Sequence, residues 1–364
     1  MECQSCRCLE LRLPRGFAPI RTTGSCLRAK AHRRRSIRVR FFRQQLSCGR
    51  GMRARFLISR LSALGDVVCS LPVAGALKRG FPDCEVVWYA DPRFSALVDR
   101  CAFVDKVVLA SPKVSPTTWP KPEGEFDAAL DVQGLFKSAI IVGRSRAKRK
   151  VGFHWQREAA GLFSSPVTPD PTSAHVVDQY VDVARAVGGV AARAEFGLSA
   201  TQEDRQHALS LLAEFGIEGD YAVLNPTSAH AAKRWPPSSF AELAAKLHAE
   251  GLRCVVIGGK APADLEAAEA AVRAGGQAIV SLAGKTNLGA LVALIEGCKF
   301  HVGGDTGSTH IAAALNRPAI GLYSATDPQR TCPYGQIGNC LYEPTGMAQI
   351  SVEAVRERIT RALR

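Results

Sequence analysis

Residues 299–323 read as a strand, a glycine turn, an Ala-rich helix and a second strand. The short apolar strand at 299–302 runs into Gly303-Gly304-Asp305-Thr306-Gly307, the helix opens at once, and 318–323 is the returning strand. Strands that alternate with helices belong to a parallel sheet covered on both faces. Glycines let the backbone approach a ligand closely, and the N–H groups of a helix start favour an anion. Thr306 and Ser308 add hydroxyls, and His310 lies about one turn into the helix. Those are the makings of a pocket for a phosphorylated donor.

The same alternation runs through the rest of the chain. In the first half, strands are expected at 56–59, 85–90, 106–109 and 127–132, with helices up to about Lys78 and at 135–144. After a polar helical stretch at 201–215 the pattern restarts. Strands at 221–224, 253–257, 278–282 and 299–302 are interleaved with helices at 238–250, 263–274 and 288–297, and an amphipathic helix closes the chain at 352–363. Two Rossmann-like halves of this kind place the active site in the cleft between them, at the strand ends. Neither a GxGxxG nor a P-loop occurs. Gly258-Gly259 and Gly303-Gly304 follow strands but lack the downstream glycine of a dinucleotide fingerprint, which counts against hydride transfer.

A length of 364 residues suits two domains. No run of about eighteen apolar residues exists to span a membrane. The formal charge of +14 is unevenly placed: residues 1–51 hold thirteen Lys/Arg against Glu2 and Glu10, leaving 34 basic and 31 acidic residues elsewhere. The basic segment has no helical or strand period and no apolar core of a secretory signal. It is expected to be disordered, or to precede the true start at Met52, and no nucleic-acid partner is inferred from it. Five of the twelve cysteines lie there, and Cys3 and Cys6 form one C-x2-C pair without a second at zinc spacing. The other seven read as buried thiols.

Four strand-end loops can carry chemistry. Asp66, after the Ser62-Ala63-Leu64-Gly65 turn, suits either a general base for an acceptor hydroxyl or a helix cap. Thr227, Ser228 and Lys233 suit a diphosphate leaving group, although a Lys-Arg pair in a loop also reads as solvated charge. Residues 258–266 offer Asp264 and Glu266, either able to bond a ribose hydroxyl or to serve a helix start. Asp305 and His310 are too few ligands for a metal site, and His310 alone also reads as a core histidine.

Taken in order, the motifs resemble those of glycosyltransferase family nine, the heptosyltransferases of lipopolysaccharide inner-core synthesis. The resemblance rests on Ser59-Arg60-Leu61-Ser62-Ala63-Leu64-Gly65-Asp66 with Leu71-Pro72, on Asp131-Val132-Gln133-Gly134-Leu135-Phe136-Lys137, and on Lys233-Arg234-Trp235-Pro236. It is completed by Asp305-Thr306-Gly307-Ser308-Thr309-His310 and Thr326-Asp327-Pro328. It covers residues 52–364 and implies an α/β GT-B fold. Its parts would be a basic extension at 1–51, an acceptor-side domain at 52–210, a nucleotide-sugar domain at 211–345, and a last helix at 346–364 packing back on the first domain.

The resemblance further implies an inverting, metal-independent transfer of L-glycero-D-manno-heptose from ADP-heptose to Kdo-lipid A, with no cofactor. Asp66 matches the base. Thr227, Ser228 and Lys233 match the diphosphate loop, Thr286 the backbone that meets adenine, and Asp305, Thr306, Gly307 and His310 the donor loop. Glu266 is assigned to the ribose, with Asp264 as the other candidate, and Lys137 and Arg157 to the acceptor's anionic groups. The segments around Asp131 and Asp305 are similar to the type acting on Kdo-lipid A, which is favoured. Those around Lys233 and Gly284 are similar to the type acting on the heptosylated acceptor. Another nucleotide sugar, or a sugar-nucleotide epimerase of the same layout, are the alternatives. A cytoplasmic enzyme visiting the inner leaflet of the inner membrane is expected.

Overall fold

The computed structural model describes residues 53–364 apart from Ala229. The expectations for the basic segment, including the start at Met52, lie outside the described residues. Apolar, β-branched runs form the central strands, and each side chain row is buried by helices. The first sheet consists of β1 (Arg55–Ser59), β2 (Glu85–Ala90), β3 (Lys106–Leu109), β4 (Glu125–Asp131), β5 (Arg146–Gly152) and β6 (Ser165–Pro166). They are parallel throughout, in the order β3-β2-β1-β4-β5-β6. Its helices are α1 (Leu64–Ser70), α2 (Pro72–Gly80), α3 (Ser95–Val98), α4 (Phe136–Arg144) and α5 (Val176–Arg185).

The second sheet repeats the design. β7 (Tyr221–Asn225), β8 (Arg253–Val256), β9 (Ile279–Ser281), β10 (His301–Gly304), β11 (Ala319–Tyr323) and β12 (Cys340–Tyr342) lie in the order β12-β11-β10-β7-β8-β9. All of these strands are parallel too. Helix α6 (Gln202–Ala213) leads in, followed by α7 (Pro237–Ala249), α8 (Pro262–Gly275), α9 (Leu288–Gly297), α10 (Gly307–Ala314), α11 (Pro328–Thr331) and α12 (Val352–Ala362). In both sheets the strand order reverses beside the first strand, so the loops after β1 and β4, and after β7 and β10, flank the switch point.

The two sheets share one continuous core. The described residues belong to a single compact unit, and one apolar cluster includes Val67, Val68 and Leu97 of the first half with Ala290, Val292 and Ile311 of the second. Helices α1 and α10 pack together, as do α3 and α9, and α6 and α9. A buried ion pair follows α3 into α6: Arg100 Nη2 lies 2.5 Å and Nε 2.6 Å from the Asp204 carboxylate. Burial opposes the charge on Asp204, but the Arg100 hydrogen bond is larger and brings its carboxyl down to about 2. A Cβ at Gly289, on α9, would stand 1.9 Å from Asp204 Oδ1. Only glycine lets this pair lie against the helix.

The last helix corrects an expectation. Rather than packing on the first half, α12 lies against α7, β11 and β12. Its stripe of Val352, Val355 and Ile359 joins the cluster of Trp235, Phe240 and Leu247, and Trp235 Nε1 donates to the Ile350 carbonyl at 2.9 Å. The stripe therefore finds its apolar partner within its own half. β5, β6, β12 and α5 were not expected from the pattern. β5 carries Arg146 and the consecutive Lys148, Arg149 and Lys150, and only its last two residues are buried, so charge hides the strand.

Candidate active site

In the first half, β1 ends in Arg60-Leu61-Ser62-Ala63 and α1 begins. Ala63 occupies the cap position, so Asp66 is the third helical residue rather than the cap itself. Its Oδ2 is 3.4 Å from the Ala63 N–H, a long contact, and 2.8 Å from Arg60 Nη2. Both contacts use one oxygen. Oδ1 has no partner among the described residues, and the side chain is 50% exposed to the cleft. Arg60 is buried, donates from Nη1 to the Val132 carbonyl at 2.6 Å, and lies 5.1 Å above the Tyr180 ring. Burial works against its charge, but Tyr180 and Asp66 outweigh it and hold the guanidinium protonated.

The loop after β4 closes against this turn. Gln133 Oε1 accepts from the Leu61 N–H at 2.8 Å, and Asp131 Oδ1 accepts from the N–H groups of Gln133 and Gly134 at 3.0 Å. Gly134 has φ +73°, and a Cβ there would meet the Trp155 carbonyl oxygen at 2.5 Å. Glu158 and Ala159, in the loop after β5, hold consecutive left-handed conformations. Such strain in non-glycine residues gathers at functional sites. These loops and α5 enclose a cavity of ≈ 370 Å³ that contains Arg60, Asp66, Gln133, Trp155, Arg157 and Arg330.

In the second half, Asn225 ends β7 and organises the loops after β7 and β10. Its Oδ1 accepts from Thr227 N and Oγ1 at 2.9 and 2.8 Å. Its Nδ2 donates to Ser308 Oγ at 2.7 Å and Thr306 Oγ1 at 3.1 Å, tying β7 to the start of α10. Arg234 donates twice to the Ser228 carbonyl. Lys233 Nζ is 2.6 Å from Asp305 Oδ2, to which Thr326 Oγ1 also donates, and His310 Nε2 is 3.4 Å from Asp305 Oδ1. Burial pushes the Asp305 carboxyl up, but His310 and Lys233 bring it down to about 2. Burial also opposes the His310 imidazolium, yet the Cys69 sulfur and the Asp305 carboxylate raise its pKa well above 6.5. His301 beneath them is driven to about 3 by burial and by His310, and stays neutral.

Lys233 and His310 thus place two cationic side chains around the Asp305 carboxylate. Because His310 has a raised pKa in the fold, its stabilising charge is complete below pH 6.5 and fades as the pH rises through that raised value. Affinity for an anion such as pyrophosphate at this helix start should fall along the same limb. Calorimetric titration at increasing pH should show that decline in the native protein and not in His310→Gln, which should bind more weakly at neutral pH.

The halves meet where α1 and α10 begin. A Cβ at Gly307 would lie 2.6 Å from Leu64, and one at Gly65 would lie 3.1 Å from His310 Cδ2. Glycine at both positions lets two helix starts touch, with Asp66 next to the seam and the Asp305 cluster across it.

Placement of the expected residues is uneven. Asp66, Asp305, Thr306, Gly307 and His310 gather at the seam, Lys233 pairs with Asp305, and Thr227 and Ser228 are buried in the loop after β7, held to Asn225 and Arg234. Arg157 reaches the cavity. Lys137 does not line it: its Nζ donates instead to the Pro112 carbonyl at 3.0 Å from an exposed turn of α4. Glu266 is exposed on α8, whereas Asp264 Oδ2 faces Gly259 at the end of β8, 2.6 Å from where a Cβ would stand. Thr286 is half-buried after Gly284, whose φ is +71°. Arg60, Gln133, Asn225, Trp155 and Arg330 were not singled out. Arg60 and Gln133 lie inside motifs already read and Asn225 heads the loop of Thr227, but nothing in the local sequence marks Trp155 or Arg330.

The model for glycosyltransferase family 9 (heptosyltransferase) matches residues 122–357. The chain is 30% identical over 288 residues to the lipopolysaccharide core heptosyltransferase OpsX of Haemophilus influenzae, covering 78% of this chain and 82% of that protein. It is 29% identical over 326 residues to lipopolysaccharide heptosyltransferase 1 of Escherichia coli K12, covering 84% and 99%. Among solved structures, the E. coli heptosyltransferase WaaC with ADP superposes with a TM-score of 0.70 at 25% identity, over 85% of this chain and 99% of that one.

Proposed function

The chain belongs to glycosyltransferase family 9, and on that premise we propose that it transfers L-glycero-D-manno-heptose from ADP-heptose to Kdo-lipid A. The coarser statement, a heptosyltransferase of lipopolysaccharide core synthesis, follows from the relatives. The finer one rests on the cleft. A carboxylate with one free oxygen stands at the seam, beside a buried cluster in which two cationic side chains address one carboxylate at a helix start.

In the proposed reaction, Asp66 takes the proton from a Kdo hydroxyl as that oxygen bonds to the anomeric carbon. The bond from that carbon to the diphosphate oxygen breaks on the opposite face, so the configuration inverts. ADP leaves against Lys233, protonated His310 and the N–H groups that open α10. These cations offset the developing charge without a metal or cofactor. Thr227 and Ser228 flank the diphosphate, the loop of Thr286 and the acidic pair Asp264 and Glu266 lie on the nucleoside side, and Arg157 faces the acceptor.

The acceptor preference rests on residues 131–139 and 305–307, which are similar to the type acting on Kdo-lipid A. No helix among the described residues is long and apolar enough to cross a membrane. On the proposed reading, a lipid-borne acceptor is met by a peripheral visit to the inner leaflet. Incubating the protein with ADP-heptose and either Kdo-lipid A or its heptosylated form, and weighing the products, tests the reading. One added heptose on Kdo-lipid A is expected. Reaction only with the heptosylated acceptor, or release of free sugar alone, would replace it.

A further inference from the structure

The cavity beside Asp66 holds two guanidiniums that the proposed chemistry leaves unused together. Arg157 comes from the loop after β5, in the first half, and Arg330 from α11, in the second. Both lie over the ring of Trp155, with Cζ at 4.7 and 5.0 Å from its centroid. Neither has a carboxylate partner among the described residues, whereas Arg60 in the same cavity is already bound to Asp66. The charge of Arg330 is felt locally: after burial, it is what holds the His154 imidazole below 6.5.

Two like charges held against one aromatic ring repel each other, and the ring offsets only part of that cost. An oxyanion between or beside them removes the repulsion and adds charge-assisted hydrogen bonds. Trp155 is 50% exposed, so the ring is a platform at the cavity mouth rather than a core residue. The backbone is arranged to make it so. Left-handed Glu158 and Ala159 turn the chain directly after Arg157, and Gly134 gives the Trp155 carbonyl room.

We propose that Arg330, Trp155 and Arg157 form an acceptor-anion subsite split between the two halves, which binds a carboxylate or phosphate oxygen of the acceptor. It rests on the reading of this cavity as the acceptor site. The subsite makes Arg330 a specificity-determining residue supplied by the donor half, so a bound acceptor anion also ties the second half to the first across the cleft.

The test uses the full chain. Trp88, Trp119 and Trp235 are buried, which leaves Trp155 as the solvent-facing indole of the four. Its fluorescence is titrated with free Kdo, to represent the carboxylate, and with inorganic phosphate, to represent the lipid A phosphate. A saturable change with one or both is expected, lost in Trp155→Phe. Arg330→Gln should weaken it by about tenfold or more, and Arg330→Lys by less, as expected for a charge-assisted contact. In transfer assays Arg330→Gln should raise the acceptor KM by a similar factor, about tenfold, and leave the donor KM unchanged.

If the native protein transfers heptose and Arg330→Gln keeps its acceptor KM, or raises only the donor KM, the subsite is wrong and the function stands. If no transfer occurs but quenching still depends on Arg330, the subsite stands and the acceptor assignment falls. Titrations identical in native protein and Arg330→Gln overturn the subsite whatever the turnover.

Discussion

Asp66→Asn should lower turnover by roughly 10²–10⁴-fold, the range for loss of a positioned general base, while leaving ADP affinity unchanged. The expectation comes from how the two oxygens are used. Arg60 and the Ala63 N–H both address Oδ2. An asparagine can present its carbonyl to those same donors, so the turn and the buried Arg60 keep their partner. What the amide cannot do is accept a proton at the other position. Steady-state turnover with saturating donor and acceptor, alongside calorimetry with ADP, separates the two effects. Near-native turnover would remove Asp66 from the chemistry. Loss of ADP affinity would instead make it part of the donor site's scaffold.

Lys233→Ala should reduce turnover by about 10²–10³-fold, comparable to removing one preorganised donor from an oxyanion site, and should also weaken ADP binding. The cluster loses one of its two cations at the place where the proposed reaction puts the departing diphosphate. The substitution also leaves Asp305 with one fewer partner in a site where the two side chains are only 20% and 13% exposed. Breaking such a pair from one side costs stability in its own right. Lys233→Ala combined with Asp305→Asn resolves the ambiguity: it removes the stranded carboxylate. The double variant should regain thermal stability over Lys233→Ala without regaining ADP affinity. If ADP binds Lys233→Ala as tightly as the native protein, the diphosphate does not meet this lysine.

Much of this site was legible before the fold was known, for a physical reason. Strands β1, β7 and β10 are short apolar runs that end in turns rich in glycine and hydroxyls, and in a parallel sheet such turns must converge on one edge. Asp66, Lys233 and Asp305 were therefore readable as positions. Their pairing was not. The ion pair of Lys233 with Asp305, and the clasp of Arg60 on Asp66, depend on side-chain directions that periodicity leaves open. Lys137 shows the limit plainly: it sits in the right motif on a face of α4 that turns to Pro112. Arg330 shows the converse, an unmarked residue carried to the first half's cavity by the packing of the second. The last helix teaches a similar point. Its apolar stripe announced that one face is covered, but amphipathicity does not name the cover, and α7 and β11 supply it.

The continuous core through α1, α3, α6, α9 and α10 bears on how such enzymes diversify. Two halves joined by a loose linker could be exchanged between relatives, each bringing its own substrate preference. Here the helix starts touch through paired glycines, and the Arg100–Asp204 pair lies against a third on α9. A new acceptor half would have to match those surfaces as well as its sugar. In this packing a changed loop above the strands disturbs fewer contacts than an exchanged half.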